Sequence, residues 1–244
     1  MIKQMIWNVV IAVGILLLHL VFYPLAKDPH SLTAFGDLAQ GIALLFAAIY
    51  FTRAAMQAED KDLRSKILIA LGFWIWLMGH ALISYSELLL ERAATGTVAD
   101  AIWLVGYALI LRSLYLMLAK ARSTSKLPRW QVLLPAVIGF LVCGILLRQL
   151  TNSEDSPLVR IEQALFPFLD LWISALAFLL VYETANKKWL FGGFGSLIIG
   201  IADLIFPFFE EITSPVYRYL DIPLFIGYSL WWLQGASLQR RGDS

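Results

Sequence analysis

Residues 79–107 read GHALISYSELLLERAATGTVADAIWLVGY and contain the end of one apolar segment, a polar turn and the start of the next apolar segment. His80 and Glu87 come before the turn, and Asp100 comes directly after it. A short polar turn between two apolar segments predicts two antiparallel helices. The imidazole and the carboxyl groups would then lie at the same end of this helix pair.

A weaker copy of the same pattern lies near the end of the chain. Asp203 follows His80 by 123 residues, and Asp221 follows Asp100 by 121 residues. In both copies a Gly-Tyr pair comes six positions after the second acid. A loop shortened by two residues accounts for the difference between the offsets, so the pattern predicts an internal duplication.

The composition indicates a membrane protein. Of the 244 residues, 59% are hydrophobic and 15% are charged, whereas an ordinary globular domain has about a quarter charged residues. A net charge of +1 gives no basic surface for nucleic acid, so no nucleic-acid partner is expected. The single cysteine, Cys143, excludes an intrachain disulfide.

Eight segments are long enough to cross a bilayer as helices, since about 20 apolar residues span its core. The sequence therefore predicts an all-α integral membrane protein with eight transmembrane helices. Pairing the first four segments with the last four gives two parallel four-helix repeats, residues 1–126 and 127–244, in a single membrane domain. The eight segments are approximately 5–25, 34–56, 66–89, 98–119, 129–149, 159–182, 188–209 and 217–238.

The distribution of basic residues predicts the orientation. Cytoplasmic loops carry an excess of Lys and Arg. With the N-terminus inside, the inner segments carry thirteen of these residues and the outer segments carry five. The inner residues are Lys3, Arg53, Lys61, Arg64, Lys66, Lys120, Arg122, Lys126, Arg129, Lys187, Lys188, Arg240 and Arg241; the outer ones are Lys27, Arg92, Arg148, Arg160 and Arg218. We therefore expect a multi-pass protein of the bacterial inner membrane with both termini in the cytoplasm.

In this orientation nearly all the acidic residues of the spans fall in the outer half or at the outer helix ends. Ionisable groups within a span are costly and are functional candidates, so the pattern predicts an acidic pocket open to the extracytoplasmic side. The candidate residues for binding a ligand or cation are Asp37, His80, Glu87, Asp100, Tyr107, Arg112, Asp170, Asp203, Glu210, Asp221 and Tyr228.

Several of these residues have a structural alternative. Asp100 and Asp221 are placed where a helix begins, and either could cap free backbone amides instead of lining a pocket. Arg112 could extend along the span to the inner headgroups, or it could pair with an acid. The sequence leaves these alternatives open.

The stretch from Asp100 to Tyr107, preceded by Tyr85-Ser-Glu87, resembles polytopic membrane regions of bacterial and archaeal signalling proteins. In those families a helix start of the form A-D-x-x-x-L-x-G-Y precedes PAS, histidine-kinase or diguanylate-cyclase modules. The resemblance implies a helix bundle with an outward-facing polar end. We expect no such output module here, because the last apolar segment ends near residue 238.

Three functions follow from this pattern. The first is a sensor-like membrane protein that binds a cation or a small amphiphile and acts on a partner protein in the same membrane. The second is a secondary transporter coupled to protons or cations. The third is a metal-dependent enzyme acting on lipid, with His19, His80 and Asp203 as zinc ligands, although the spacing of zinc-peptidase motifs is missing. Membrane lipids are expected partners in all three, and the sequence leaves the cofactor unknown.

Overall fold

The computed structural model describes residues 2–25, 29–58, 60–90, 98–122, 144, 157–205, 219 and 221–239. These residues form seven α-helices and one short 3₁₀ helix, Lys187–Trp189, and no strand. The α-helices are α1 (Ile2–Leu25), α2 (Pro29–Met56), α3 (Asp60–Leu89), α4 (Val98–Arg122), α5 (Pro157–Thr184), α6 (Leu190–Ile205) and α7 (Asp221–Ser237). The sequence prediction of an all-helical chain is confirmed for this part of the protein.

Six of these helices are long and apolar enough to cross a membrane, α6 together with the 3₁₀ turn before it. This supports a multi-pass membrane protein. The remaining helix, α7, has 17 residues, which is short of the roughly 20 needed to span the hydrocarbon core. The predicted span 129–149 lies outside the described residues, so the total of eight spans stays a prediction.

Six of the helices form a closed ring. Each of α2 to α6 packs against the helix that follows it among the described residues, and α7 packs back against α2. Helix α1 lies outside this ring, against α7 and α2. The connections between α1, α2, α3 and α4 are short, and so is the one between α5 and α6. Helices joined in this way are antiparallel, as the sequence predicts for the pair around the polar turn.

Aromatic side chains fill the centre of the ring. Phe51 and Phe73 stack with ring centroids 4.9 Å apart, and Trp231 lies 5.2 Å from Phe73. Trp231 and Trp232 are fully buried, whereas Trp74 is 41% exposed on the outer surface. Lipid is as apolar as these side chains, so the ring is held by close packing rather than by exclusion of water.

Two glycine crossings bring helix backbones into close contact. A Cβ atom on Gly72 would lie 3.1 Å from the carbonyl oxygen of Gly106, and one on Gly195 would lie 2.8 Å from that of Gly227. The first crossing joins α3 to α4, and the second joins α6 to α7. Their positions differ by 123 and 121 residues, the same offsets that relate the two sequence copies. Small residues allow such approaches between membrane helices.

The two ends of the bundle differ in their charges. At one end, which we call the acidic end, α1, α3 and α6 finish and α2, α4, α5 and α7 begin. The carboxyl groups discussed below lie at or below this end. At the opposite, basic end, Lys120 pairs with Asp62. Near this end, Ser113 Oγ donates a hydrogen bond to the carbonyl oxygen of Ser65 at 2.6 Å.

Candidate functional site

Asp221, the first residue of α7, connects three helices. The Tyr23 hydroxyl of α1 donates a hydrogen bond to Asp221 Oδ2 at 2.8 Å, and Gln40 Nε2 of α2 donates one to Oδ1 at 3.0 Å. Gly36 of α2 packs directly on the same carboxyl group and leaves no room for a side chain. Asp221 therefore holds the start of α7 against α1 and α2.

Two further carboxyl groups lie close to Asp221. Glu87 of α3 is near enough to interact electrostatically with both Asp37 and Asp221. Asp37 accepts a hydrogen bond from Ser84, and among the described residues no donor reaches its buried Oδ2 atom. We call Asp37, Glu87 and Asp221 the outer carboxyl cluster. All three side chains are half-buried.

His80 of α3 lies next to this cluster. Its Nε2 atom lies 2.8 Å from the carbonyl oxygen of Asp37, which can only accept, so Nε2 carries a proton and donates. The ring packs beside Gly41 and interacts electrostatically with Asp221. His80 thus ties α2 to α3 beneath the outer carboxyl cluster.

A second pair of carboxyl groups is formed by Asp170 of α5 and Asp203 of α6. Asp170 is 0% exposed, and its carboxyl group is within hydrogen-bonding reach of that of Asp203. The Tyr107 hydroxyl of α4 donates to Asp170 Oδ2 at 2.7 Å. Tyr228 of α7 is buried nearby and interacts electrostatically with both acids. We call Asp170 and Asp203 the inner carboxyl pair.

A tryptophan lies between the tyrosines. The Trp76 ring centroid is 4.7 Å from that of Tyr107 and 6.2 Å from that of Tyr228, edge to face in both cases. Because such contacts fix the ring planes, Trp76 helps to hold both hydroxyl groups in place. Helices from both halves of the chain therefore build the surroundings of the inner carboxyl pair.

Neither group of acids has a basic counter-charge from lysine or arginine in the described part of the chain. Carboxylates placed together repel one another, and a bound proton or cation removes this repulsion. The arrangement is therefore suited to binding positive charge.

The remaining predicted site residues lie elsewhere. Asp100 is buried in the first turn of α4 and has interactions of its own, in keeping with the capping alternative. The side chain of Arg112 is exposed on α4 and belongs to neither group of acids. Glu210 lies outside the described residues.

His19 is fully buried among aromatic rings. Its ring stacks on Phe225 with centroids 5.1 Å apart and meets Phe35 at 4.7 Å, while Nδ1 lies 3.1 Å from the carbonyl oxygen of Ile15. Among the described residues no three His, Cys, Asp or Glu side chains are close enough to hold a metal ion. His19, His80 and Asp203 consequently do not form the predicted zinc site.

Sequence reasoning missed Tyr23, Gln40 and Ser84, which all contact the outer carboxyl cluster. The spacing of these residues in the sequence could have identified each of them. Tyr23 and Ser84 follow the two predicted histidines by four residues, and Gln40 follows Asp37 by three residues. Residues three or four apart share one face of a helix, so each could have been assigned to the same face as its predicted neighbour.

Comparison of the chain with known protein families, curated protein sequences and solved structures found no match. The resemblance of residues 100–107 to signalling proteins therefore stays a prediction.

Proposed function

We propose that the protein is a sensor-like, multi-pass protein of the cell membrane that binds a small cationic amphiphile at the outer carboxyl cluster. One observation carries the proposal: Asp221 is held simultaneously by Tyr23 of α1 and Gln40 of α2, with Glu87 of α3 close by. A ligand that neutralises these acids therefore acts on four helices at once.

The energetics support coupling between binding and helix packing. Two unit charges about 4 Å apart interact with about 4 kcal/mol near a protein surface, while a hydrogen bond to a charged group contributes about 1.5–3 kcal/mol. At that separation, repulsion between two carboxylates of the cluster would be comparable with the hydrogen bonds that hold α7. A ligand that binds one packing state better than another shifts the population toward it.

The orientation proposed for this function puts the acidic end outside the cell and both termini inside. It is supported by the excess of basic residues on the opposite loops. We further propose that the chain consists of two four-helix repeats, residues 1–126 and 127–244. The matching offsets of the two glycine crossings support this duplication.

The test is a thermal-unfolding screen of the purified full chain in detergent. We expect the midpoint to rise with one class of cation and the rise to be lost in Asp221→Asn and Glu87→Gln. The matched control is Asp62→Asn, which removes a carboxylate at the basic end and should keep the full response. A screen of inorganic cations and quaternary ammonium amphiphiles without any selective shift would refute the proposal, as would an equal loss in the control.

A proton- or cation-coupled transporter is the second candidate, favoured by the inner carboxyl pair. Asp170 is fully buried, whereas the three acids of the outer carboxyl cluster are half-buried. Coupled transporters carry such ionisable groups near the middle of the membrane. Flux in proteoliposomes driven by a pH gradient tests this function. Transport by the wild type that is lost in Asp170→Asn would support a transporter over a sensor. Absence of flux for every cation tested would refute the transporter.

A further inference from the structure

The inner carboxyl pair is a separate site from the outer carboxyl cluster. Asp170 and Asp203 lie between α5 and α6, whereas the outer acids lie between α2, α3 and α7. We propose that the pair binds one positive charge at a time, either a proton or a small monovalent cation such as Na⁺, which displaces the proton.

The first support is the unmatched oxygen of a completely buried acid. Asp170 is 0% exposed, and Tyr107 satisfies only Oδ2. No amide or hydroxyl donor among the described residues reaches Oδ1, and the other group in contact with this carboxyl is Asp203. A buried acceptor without a donor costs about 1–3 kcal/mol, and either a shared proton or a bound cation removes that cost.

The second support is the charge of the surroundings. The groups that face the pair are Tyr107 from α4 and Tyr228 from α7, and the two acids come from α5 and α6. Both tyrosines are neutral donors, and no lysine, arginine or histidine of the described chain pairs with either acid. Two carboxylates in contact cannot both stay charged without a positive charge between them.

The third support concerns which ion fits. Carboxyl and phenol oxygens are hard ligands and select hard cations over zinc or copper. Calcium takes 6–8 oxygen ligands. The site offers four carboxyl oxygens and two phenol oxygens, and one of them, Asp170 Oδ2, already accepts the Tyr107 hydroxyl. Gly200 also brings α6 close to Asp170, since a Cβ atom there would lie 3.1 Å from Asp170 Cβ. A small monovalent cation is the occupant that this geometry favours.

Competition between the two ions gives a quantitative test. When Na⁺ displaces a bound proton one for one, linkage requires that its half-saturating concentration rise about tenfold for each unit by which the pH falls. We would add NaCl to the purified full chain in a weakly buffered detergent solution with a pH indicator. About one proton per chain should be released with NaCl and none with choline chloride.

Variants separate this site from the proposed function. Asp203→Asn and Asp170→Asn should abolish the release, and Tyr107→Phe should weaken Na⁺ binding, because the hydroxyl that orients Asp170 is lost. Asp221→Asn, in the outer carboxyl cluster, should release the proton as the wild type does. Each variant is accepted only if it retains a cooperative thermal transition. If Asp170→Asn does not fold, the variants of the half-buried Asp203 and of the buried Tyr107 still decide the outcome.

Infrared difference spectra give an independent readout. Addition of Na⁺ should remove the carbonyl band of one protonated carboxylic acid in the wild type and in Asp221→Asn, and should change nothing in Asp203→Asn. Folded wild-type protein that neither releases a proton nor loses this band would overturn the proposal. Proton release by Ca²⁺ but not by Na⁺ would overturn the assignment to a monovalent cation.

Discussion

Replacement of Gly227 by alanine should destabilise the bundle by forcing α6 and α7 apart. The new Cβ atom would lie 2.8 Å from the carbonyl oxygen of Gly195 and would also collide with Ile199. The isoleucine can rotate, but the backbone carbonyl cannot move without its helix. Overpacking of this kind costs about 1–3 kcal/mol, and the better helix propensity of alanine returns up to about 1 kcal/mol. With the full propensity gain subtracted, we expect a net loss of up to about 2 kcal/mol.

The matched control is Gly14→Ala in α1, where a Cβ atom would meet nothing within 4 Å. It should be neutral or up to about 1 kcal/mol more stable, from helix propensity alone. Unfolding by SDS titration, followed by tryptophan fluorescence, measures both variants. The double variant Gly195→Ala/Gly227→Ala should cost less than the sum of its parts, because one helix separation relieves both clashes. If Gly227→Ala proves as stable as Gly14→Ala, the close crossing is wrong.

Two further predictions concern the acidic end and the orientation. Tyr23→Phe removes one of the donors to Asp221 and should lower the free energy of unfolding by about 1.5–3 kcal/mol in the same titration. The control is Tyr115→Phe, at a side chain that is 52% exposed, which should change stability by less than about 0.5 kcal/mol. In a chain without its native cysteine, a membrane-impermeant maleimide should label Leu90→Cys in right-side-out vesicles and should label Ala58→Cys only after lysis. The reverse pattern would invert the proposed orientation and place the outer carboxyl cluster on the cytoplasmic side.

Much of the fold was predictable because the bilayer fixes it. The predicted spans 5–25 and 98–119 correspond to helices Ile2–Leu25 and Val98–Arg122. The structure extends the predicted 34–56 and 66–89 to Pro29–Met56 and Asp60–Leu89, because helices continue past the hydrocarbon core into polar residues. Helix starts and ends are therefore less predictable than the presence of the helices.

The site was predictable only in part. The sequence pointed to an acidic end, and the structure brings Asp170 next to Asp203 and Glu87 near Asp221. It did not predict that the acids divide into two groups or that His19 lies among aromatic rings. These helices are apolar on nearly every side, so the pattern of side chains does not indicate which face of a helix meets which neighbour.

The sequence by itself determined that this chain is helical, that it belongs in a membrane and that its acids collect toward one end, because backbone groups must be satisfied within the lipid and charges are expensive there. Only the tertiary structure decided which acids meet. The rotation of each helix about its axis is set by close packing, at glycines such as Gly72 and Gly227 and around Trp231, and that packing depends on residues far apart in the chain.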